Sequence, residues 1–447
     1  MTGETPPKLA SWDPAAAGDH CSWNGVKCAG AGRVVTELSL QNLSLDGSVP
    51  ASVCELRNLT RLDLSENRLE GAFPAAALYA CSQLRFLDIS YNDFTGLLPA
   101  DIAGLSPLME HLNLSCNGFN GTVPAAVAQL PALKSLQLDN NRFTGKYPAA
   151  EISELVGLEV LTLTYNAFAP APVPPEFAKL TKLSSLWMDN MGLTGEIPEA
   201  FASLTELTSL SMASNNLTGS IPTWVWQHQN LEFVDLSGNG LSGELARNIT
   251  AVGLVTLYLS SNRLTGSIPA PLWQHEKLEL VDLSDNKFSG ELARNITTTN
   301  LVELYVSSNK LTGSIPSWVW QDEKLEYVYM FNNSLSGELT CNFTAVNLVK
   351  LHISFNQLTG EIPVAFGNLK NLEDLDLSDN QLIGKIPVGI GMLPRLKYFT
   401  ASNNQFQGEL PQELAFQACC QRHSALKDGS IPSMPPITAS PASSRQT

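Results

Sequence analysis

The chain has 447 residues and a formal charge of −16 at pH 7, with charged residues at only 16% of positions. An acidic field of that size repels phosphate, so nucleic acid and anionic membrane surfaces are not expected partners. No apolar run approaches the roughly 18 residues of a membrane helix. From the N-terminus, Met1 to Ala10 reads MTGETPPKLA and lacks the apolar core of a secretory signal. Trp12 then leads to a close cysteine pair, Cys21 and Cys28, separated by Ser22-Trp23-Asn24-Gly25-Val26-Lys27. A zinc site would need at least two more thiolate or imidazole ligands nearby. His20 is the one local donor, so neither a metal nor a cofactor is expected.

From Arg33 one pattern takes over, L-x-L-x-x-N-x-L-x-G-x-I-P, and it runs to about Phe416. Its Asn falls at positions 67, 92, 117, 141, 166, 215, 239, 262, 286, 309, 333, 356, 380 and 404, and Leu43 and Met191 hold the same place in two further copies. That makes 16 copies spaced 23 to 25 residues apart, the signature of leucine-rich repeats. Leucines two apart, such as Leu62 and Leu64, share one face of a short strand. A single repeat cannot bury that face, but stacked neighbours can. The Asn side chain can satisfy loop backbone groups that would otherwise be orphaned. Leu43 and Met191 interrupt that ladder, so their neighbours must serve the same groups another way. The Gly-x-Ile-Pro part, as in Gly195-Glu196-Ile197-Pro198, resembles the plant-type variant of the repeat. The resemblance implies an α/β repeat fold, a right-handed solenoid with a second set of short strands.

A longer period is laid over the first. Residues 215 to 356 repeat every 47 residues, as in Trp224-Val225-Trp226-Gln227-His228, Pro271-Leu272-Trp273-Gln274-His275 and Trp318-Val319-Trp320-Gln321-Asp322. These tryptophans are expected to be core on the side away from the strands. After Pro411 the pattern fails, and Cys419-Cys420 leads into a Ser/Pro/Thr-rich segment. The expected organisation is a partial N-terminal cap over 1–32, a solenoid over 33–416 and an irregular, disordered tail over 417–447.

Catalysis finds little support. The six histidines lie in different repeats or outside them, and no nucleophile elbow, metalloprotease, P-loop or protein-kinase signature occurs. Aspartates in the strands, such as Asp63, Asp88, Asp235, Asp282 and Asp376, read as solvated consensus carboxylates. Specificity is expected on the outward strand positions instead. Aromatic and polar departures gather there: Tyr165, Trp187, Asp189, Phe233, Tyr258, Tyr305, Tyr327, Tyr329, Phe331, Lys350 and His352. Tyr and Trp supply large rigid contacts for a peptide or protein. The competing expectation is that these rings stack on one another as a ladder. Nine Asn-x-Ser/Thr sequons, at Asn42, Asn58, Asn113, Asn120, Asn216, Asn248, Asn295, Asn332 and Asn342, are candidate glycosylation sites and favour a secreted setting.

Residues 8 to 416 resemble the extracellular part of plant leucine-rich repeat receptor-like kinases. Pro175-Glu176-Phe177-Ala178-Lys179-Leu180, Leu186-Trp187-Met188 and Leu78-Tyr79-Ala80-Cys81-Ser82-Gln83-Leu84 are similar to the HAESA-like branch. Cys21-Ser22-Trp23-Asn24-Gly25-Val26-Lys27-Cys28 resembles that family's N-terminal cap, which a Cys21–Cys28 disulfide would brace. The resemblance implies a cell-surface protein that binds a secreted peptide on its inner face and recruits a leucine-rich repeat co-receptor kinase. No enzymatic activity is expected of these residues, since the family's kinase domain is not among them. Peptide-binding relatives hold the ligand's carboxylate with an Arg-x-Arg pair on a late strand; here Lys350 and His352 are the available substitute. The alternatives are a soluble inhibitor or decoy similar to polygalacturonase-inhibiting proteins, and a non-functional gene fragment.

Overall fold

The structure, a computed structural model, describes residues 11–12, 20–30, 33–294, 296, 300–339 and 344–414. The tail expected over 417–447 and the sequons at Asn295 and Asn342 lie outside the described residues. Between the first and last repeats, each repeat opens with a short strand whose inward residue is aliphatic and fully buried, as with Leu62, Leu87, Leu112 and Leu136, while Phe399 in the last repeat is half-buried. The sheet has 17 strands. Sixteen run parallel and in register from Val34–Ser39 to Tyr398–Thr400, one per repeat, and Val26–Ala29 pairs antiparallel with the first. Parallel strands this short hold because every neighbour adds the same buried layer beneath them.

A second set of strands follows the Asn in each repeat, in sheets of six, three, six and two strands. They pass through the Gly of the pattern. At Gly266 φ is +79°, and a Cβ would sit 2.7 Å from the Glu244 side chain of the preceding repeat. Both the left-handed turn and the stacked glutamate therefore call for glycine. The far side carries one-turn helices that begin after the Pro of the pattern, such as Thr223–Trp226 and Ser317–Gln321. Trp226, Trp273 and Trp320 are fully buried there, as the 47-residue period implies.

The Asn ladder runs the length of the solenoid with two interruptions, at Leu43 and Met191. Asn286 is representative: its Oδ1 accepts from Leu264 N–H at 2.9 Å, and its Nδ2 donates to the carbonyls of Leu259, Leu283 and Ser284. At the two interruptions the next Asn does double work. Asn67 Oδ1 accepts from both Leu43 and Leu45 N–H, and Asn215 Oδ1 from both Met191 and Leu193 N–H.

At the N-terminal end Cys21 and Cys28 form a disulfide, which removes the thiolates that a metal would need beside His20. Trp12 stacks on Trp23 with centroids 5.2 Å apart and donates from Nε1 to Asn24 O. Gly25 lies so close to Ser39 O that a Cβ would overlap it, and the strand edge closes over the first leucine layer. A second disulfide, Cys54–Cys81, joins adjacent repeats on the helix side, and Cys116 is left as a free thiol.

Candidate ligand-binding face

The outward residues of the strands line up across the sheet because the register is constant along the sixteen parallel strands. One row reads Asp235, Tyr258, Asp282, Tyr305, Tyr329, His352 and Asp376 on consecutive strands. The parallel row beside it includes Phe233, Glu303, Tyr327, Lys350 and Asp374. Neighbours in a row stand about 4.8 Å apart at the backbone.

The rings do stack, as the competing expectation had it. Tyr305 and Tyr329 are 5.0 Å apart and near parallel, and His352 meets Tyr329 edge-on at 4.7 Å. Trp187 reaches across a strand of small residues to Phe233 at 6.2 Å, and its Nε1 donates to Ser209 Oγ at 2.8 Å. Phe233 in turn tilts against Tyr258 at 6.1 Å. All of these side chains remain half-exposed, so the ladder presents ring surface to solvent as well as to itself. Burial and nearby carboxylates push the Tyr258 and Tyr329 phenols up to about 12, and Tyr305 higher still, where its hydroxyl also donates to Glu303 at 2.6 Å. These hydroxyls stay protonated at any physiological pH.

Tyr165 sits in the turn after its strand at φ +53°, a left-handed position that Tyr91 and Phe355 share in other repeats. Bulky side chains rarely adopt that conformation. Here the turn is fixed by the ladder itself, since Asn follows each of these residues. Tyr327 and Phe331 are half-exposed on the same face.

Three expectations need correction. Asp189 does not offer a carboxylate to the groove: it is buried, and it accepts from Ser211 Oγ, from Ala213 N–H at 2.7 Å and from Thr164 Oγ1 at 3.2 Å. Burial raises its carboxyl to about 6. The strand aspartates are not simply solvated either. Asp235 Oδ1 accepts from both the N–H and the hydroxyl of Ser237, and Asp63, Asp88, Asp282 and Asp376 do the same with the Ser two residues on. Burial raises Asp88, Asp235 and Asp282 above the ordinary carboxylate range. Lastly, Lys350 and His352 make a poor carboxylate site. Their register partners on the next strand are Asp374 and Asp376, and His352 Nε2 already lies 3.1 Å from Asp374. A ligand carboxylate would meet two like charges.

An N-terminal cluster escaped the reading by composition. Phe86 and His111 stack at 4.2 Å, and the Arg61 guanidinium lies 3.4 Å over the Phe86 ring. Burial, with the Arg61 charge, holds His111 down to about 4, so it is neutral. The signal was available, because all three occupy the first strand position of successive repeats.

Among the sequons, Asn42, Asn58, Asn120, Asn216, Asn248 and Asn332 are exposed. Asn113 is buried on the sheet, donates to Asp88 at 2.9 Å and accepts from Ser115. The Nδ2 that a glycan would take is thus buried and already engaged with Asp88.

Comparison with known proteins bears on this architecture. The leucine-rich repeat N-terminal domain family matches residues 2–29, and leucine-rich repeat families match segments between 58 and 406. The chain shares 30% identity with the crystal structure of a TDR receptor, covering 84% of this chain and 69% of that one at a TM-score of 0.75. It shares 27% identity with the Arabidopsis receptor kinase HAESA in complex with the peptide hormone IDA and the co-receptor SERK1, over 92% of this chain and 89% of that one at a TM-score of 0.63. The rice receptor-like kinase SIK1 (Oryza sativa subsp. japonica) is 44% identical over 61 residues, which are 14% of this chain and 6% of SIK1. The chain thus matches a small part of such curated relatives, and the matched families are all leucine-rich repeat segments. On these matches and on the sixteen-repeat solenoid, the chain belongs to the plant leucine-rich repeat receptor kinase family and corresponds to its leucine-rich repeat ectodomain.

Proposed function

We propose that this chain is the ligand-recognition part of a cell-surface receptor, binding a secreted peptide in extended form along its concave sheet and pairing with a leucine-rich repeat co-receptor outside the cell. The observation that carries this reading is the run of in-register rings, Tyr258, Tyr305, Tyr329 and His352, on an open sheet face. A rigid, half-exposed aromatic surface binds with little loss of side-chain freedom. An extended peptide laid across parallel strands can touch one ring after another. The HAESA complex, with peptide and co-receptor on a solenoid of this kind, supports the same reading.

The test is retention of peptides from an extracellular wash of plant tissue on the immobilised chain, read by mass spectrometry. Tyr305→Ala/Tyr329→Ala should release what the native chain retains. Equal retention by that variant, or no retained peptide at all, would overturn the reading.

A further inference from the structure

The 47-residue period shows one socket in two states. Gly243-Glu244-Leu245-Ala246-Arg247-Asn248 and Gly290-Glu291-Leu292-Ala293-Arg294-Asn295 are identical in sequence. Each is followed by a repeat whose one-turn helix begins after a Pro, Ala270–Trp273 in the first case and Ser317–Gln321 in the second. In the second case Trp318 folds back over the preceding segment. Its Nε1 donates to Ala293 O at 2.8 Å, its ring lies 5.7 Å from Trp273, and it is only 4% exposed. Trp224 is the counterpart of Trp318 two periods earlier and is buried too, donating to Pro198 O at 3.2 Å. In the middle copy the same helix position is Pro271, which is exposed. The carbonyl that matches Ala293 O is that of Ala246, and Pro271 gives it no indole to accept from.

A cavity of about 390 Å³ opens at that place, lined among others by Leu245, Arg247, Ile268, Pro269, Pro271 and Ala293. It lies where the second strands turn into the one-turn helices, and no residue of the concave strands lines it. Its volume falls within the roughly 300–1,000 Å³ of small-ligand pockets. Leu245 and Ile268 are buried and apolar, while Arg247 stands exposed at the rim, where a guanidinium favours the face of a ring. The lining thus combines apolar walls with a carbonyl in want of a donor. Indole matches both, being a wide apolar ring with one donor and no acceptor. The chain has no indole to spare: its eight tryptophans are all buried or half-buried where they stand, so a second copy offers none either.

We propose that this cavity is a docking socket for the indole of a tryptophan side chain presented by a partner protein or peptide. The incoming ring takes the place that Trp318 takes on the identical segment, with its N–H on Ala246 O. The socket is separate from the concave face, so it stands or falls independently of the peptide-binding reading.

Ligand-detected NMR on the full chain, with N-acetyl-L-tryptophanamide as the probe, tests this. The native chain should bind it with a dissociation constant of about 1 mM or tighter. The 1-methylindole derivative, which cannot donate, should bind about fivefold more weakly. Pro271→Trp gives the middle copy the residue of the other two. It should fold, protect the Leu272 and Trp273 amides from hydrogen exchange at least as well as the native chain, and weaken probe binding about tenfold or more. Pro271→Ala leaves the socket open and should bind within about twofold of the native chain. No binding up to about 10 mM overturns the proposal. Binding that survives Pro271→Trp overturns it as well, and loss of that binding in Tyr305→Ala/Tyr329→Ala would then place the probe on the concave rings. Equal binding of the methylated probe removes the Ala246 contact and with it the indole assignment. Failure of Pro271→Trp to fold would show that the socket is not the one Trp318 fills, and the proposal falls in that case too.

Discussion

Asn215 should be a weak point that its fellow ladder residues are not. Most rungs serve one N–H of the preceding repeat: Asn286 accepts from Leu264 alone. Asn215 accepts from Met191 at 3.0 Å and Leu193 at 2.9 Å, because Met191 stands where an Asn would be. Both substitutions to Ala strip three carbonyls of a donor, so those losses cancel in the comparison. What remains is one additional buried N–H without an acceptor, at a cost of about 1–3 kcal/mol. Asn215→Ala should therefore destabilise its neighbourhood by that much more than Asn286→Ala does. In a solenoid the effect is local, so global melting is a poor readout. Hydrogen exchange by mass spectrometry resolves it: peptides containing Met191 and Leu193 should lose about 5- to 150-fold of protection relative to the equivalent peptide in Asn286→Ala. Asn67→Ala must behave like Asn215→Ala, since Leu43 and Leu45 depend on Asn67 in the same way. Equal protection loss at Asn67, Asn215 and Asn286 would refute the double-acceptor account.

Three further outcomes follow from the geometry. Asp189→Asn should leave the chain more stable at pH 7 by on the order of 2–3 kcal/mol at most, because burial raises the native carboxyl to about 6, and an amide can keep the Ser211, Ala213 and Thr164 contacts. The sign follows from the raised value: the native Asp189 stabilises the fold below the unfolded value near 4 and loses that contribution as pH rises through 6. The advantage of the Asn variant should thus vanish in urea titrations at pH 4, and a gain that persists there would contradict it. Cys54→Ser/Cys81→Ser should cost about 3–4 kcal/mol by the chain-entropy estimate for a separation of 27 residues, seen as lost protection in the first repeats with later ones unchanged. Glycopeptide mapping of the chain expressed through a secretory host should find Asn113 unoccupied while its neighbour Asn120, exposed on the second sheets, is available.

The repeat was fully legible in the residues, because its constraints are local and recur at a fixed interval. Leu, Asn, Gly and Pro each answer one demand of the turn, and the 16 strands fall where the pattern puts them. The convex tryptophans were legible for the same reason, and so was the need for some substitute at Leu43 and Met191. What a single repeat cannot disclose is what its neighbour does. Cys54 and Cys81 pair because stacking brings the helix sides of two repeats together, a fact about register and not about spacing along the chain. Asp189 reads as an outward carboxylate from its own strand, yet Thr164 and Ser211 enclose it from the repeats before and after.

The same blindness governs the reading of ligand chemistry. Lys350 and His352, seen on their own strand, suggest a site for an anion. The next strand, 24 residues on, sets Asp374 beside Lys350 and Asp376 beside His352, and the local field changes sign. Writing the repeats as columns rather than as a line recovers this, since a constant register turns column neighbours into spatial neighbours.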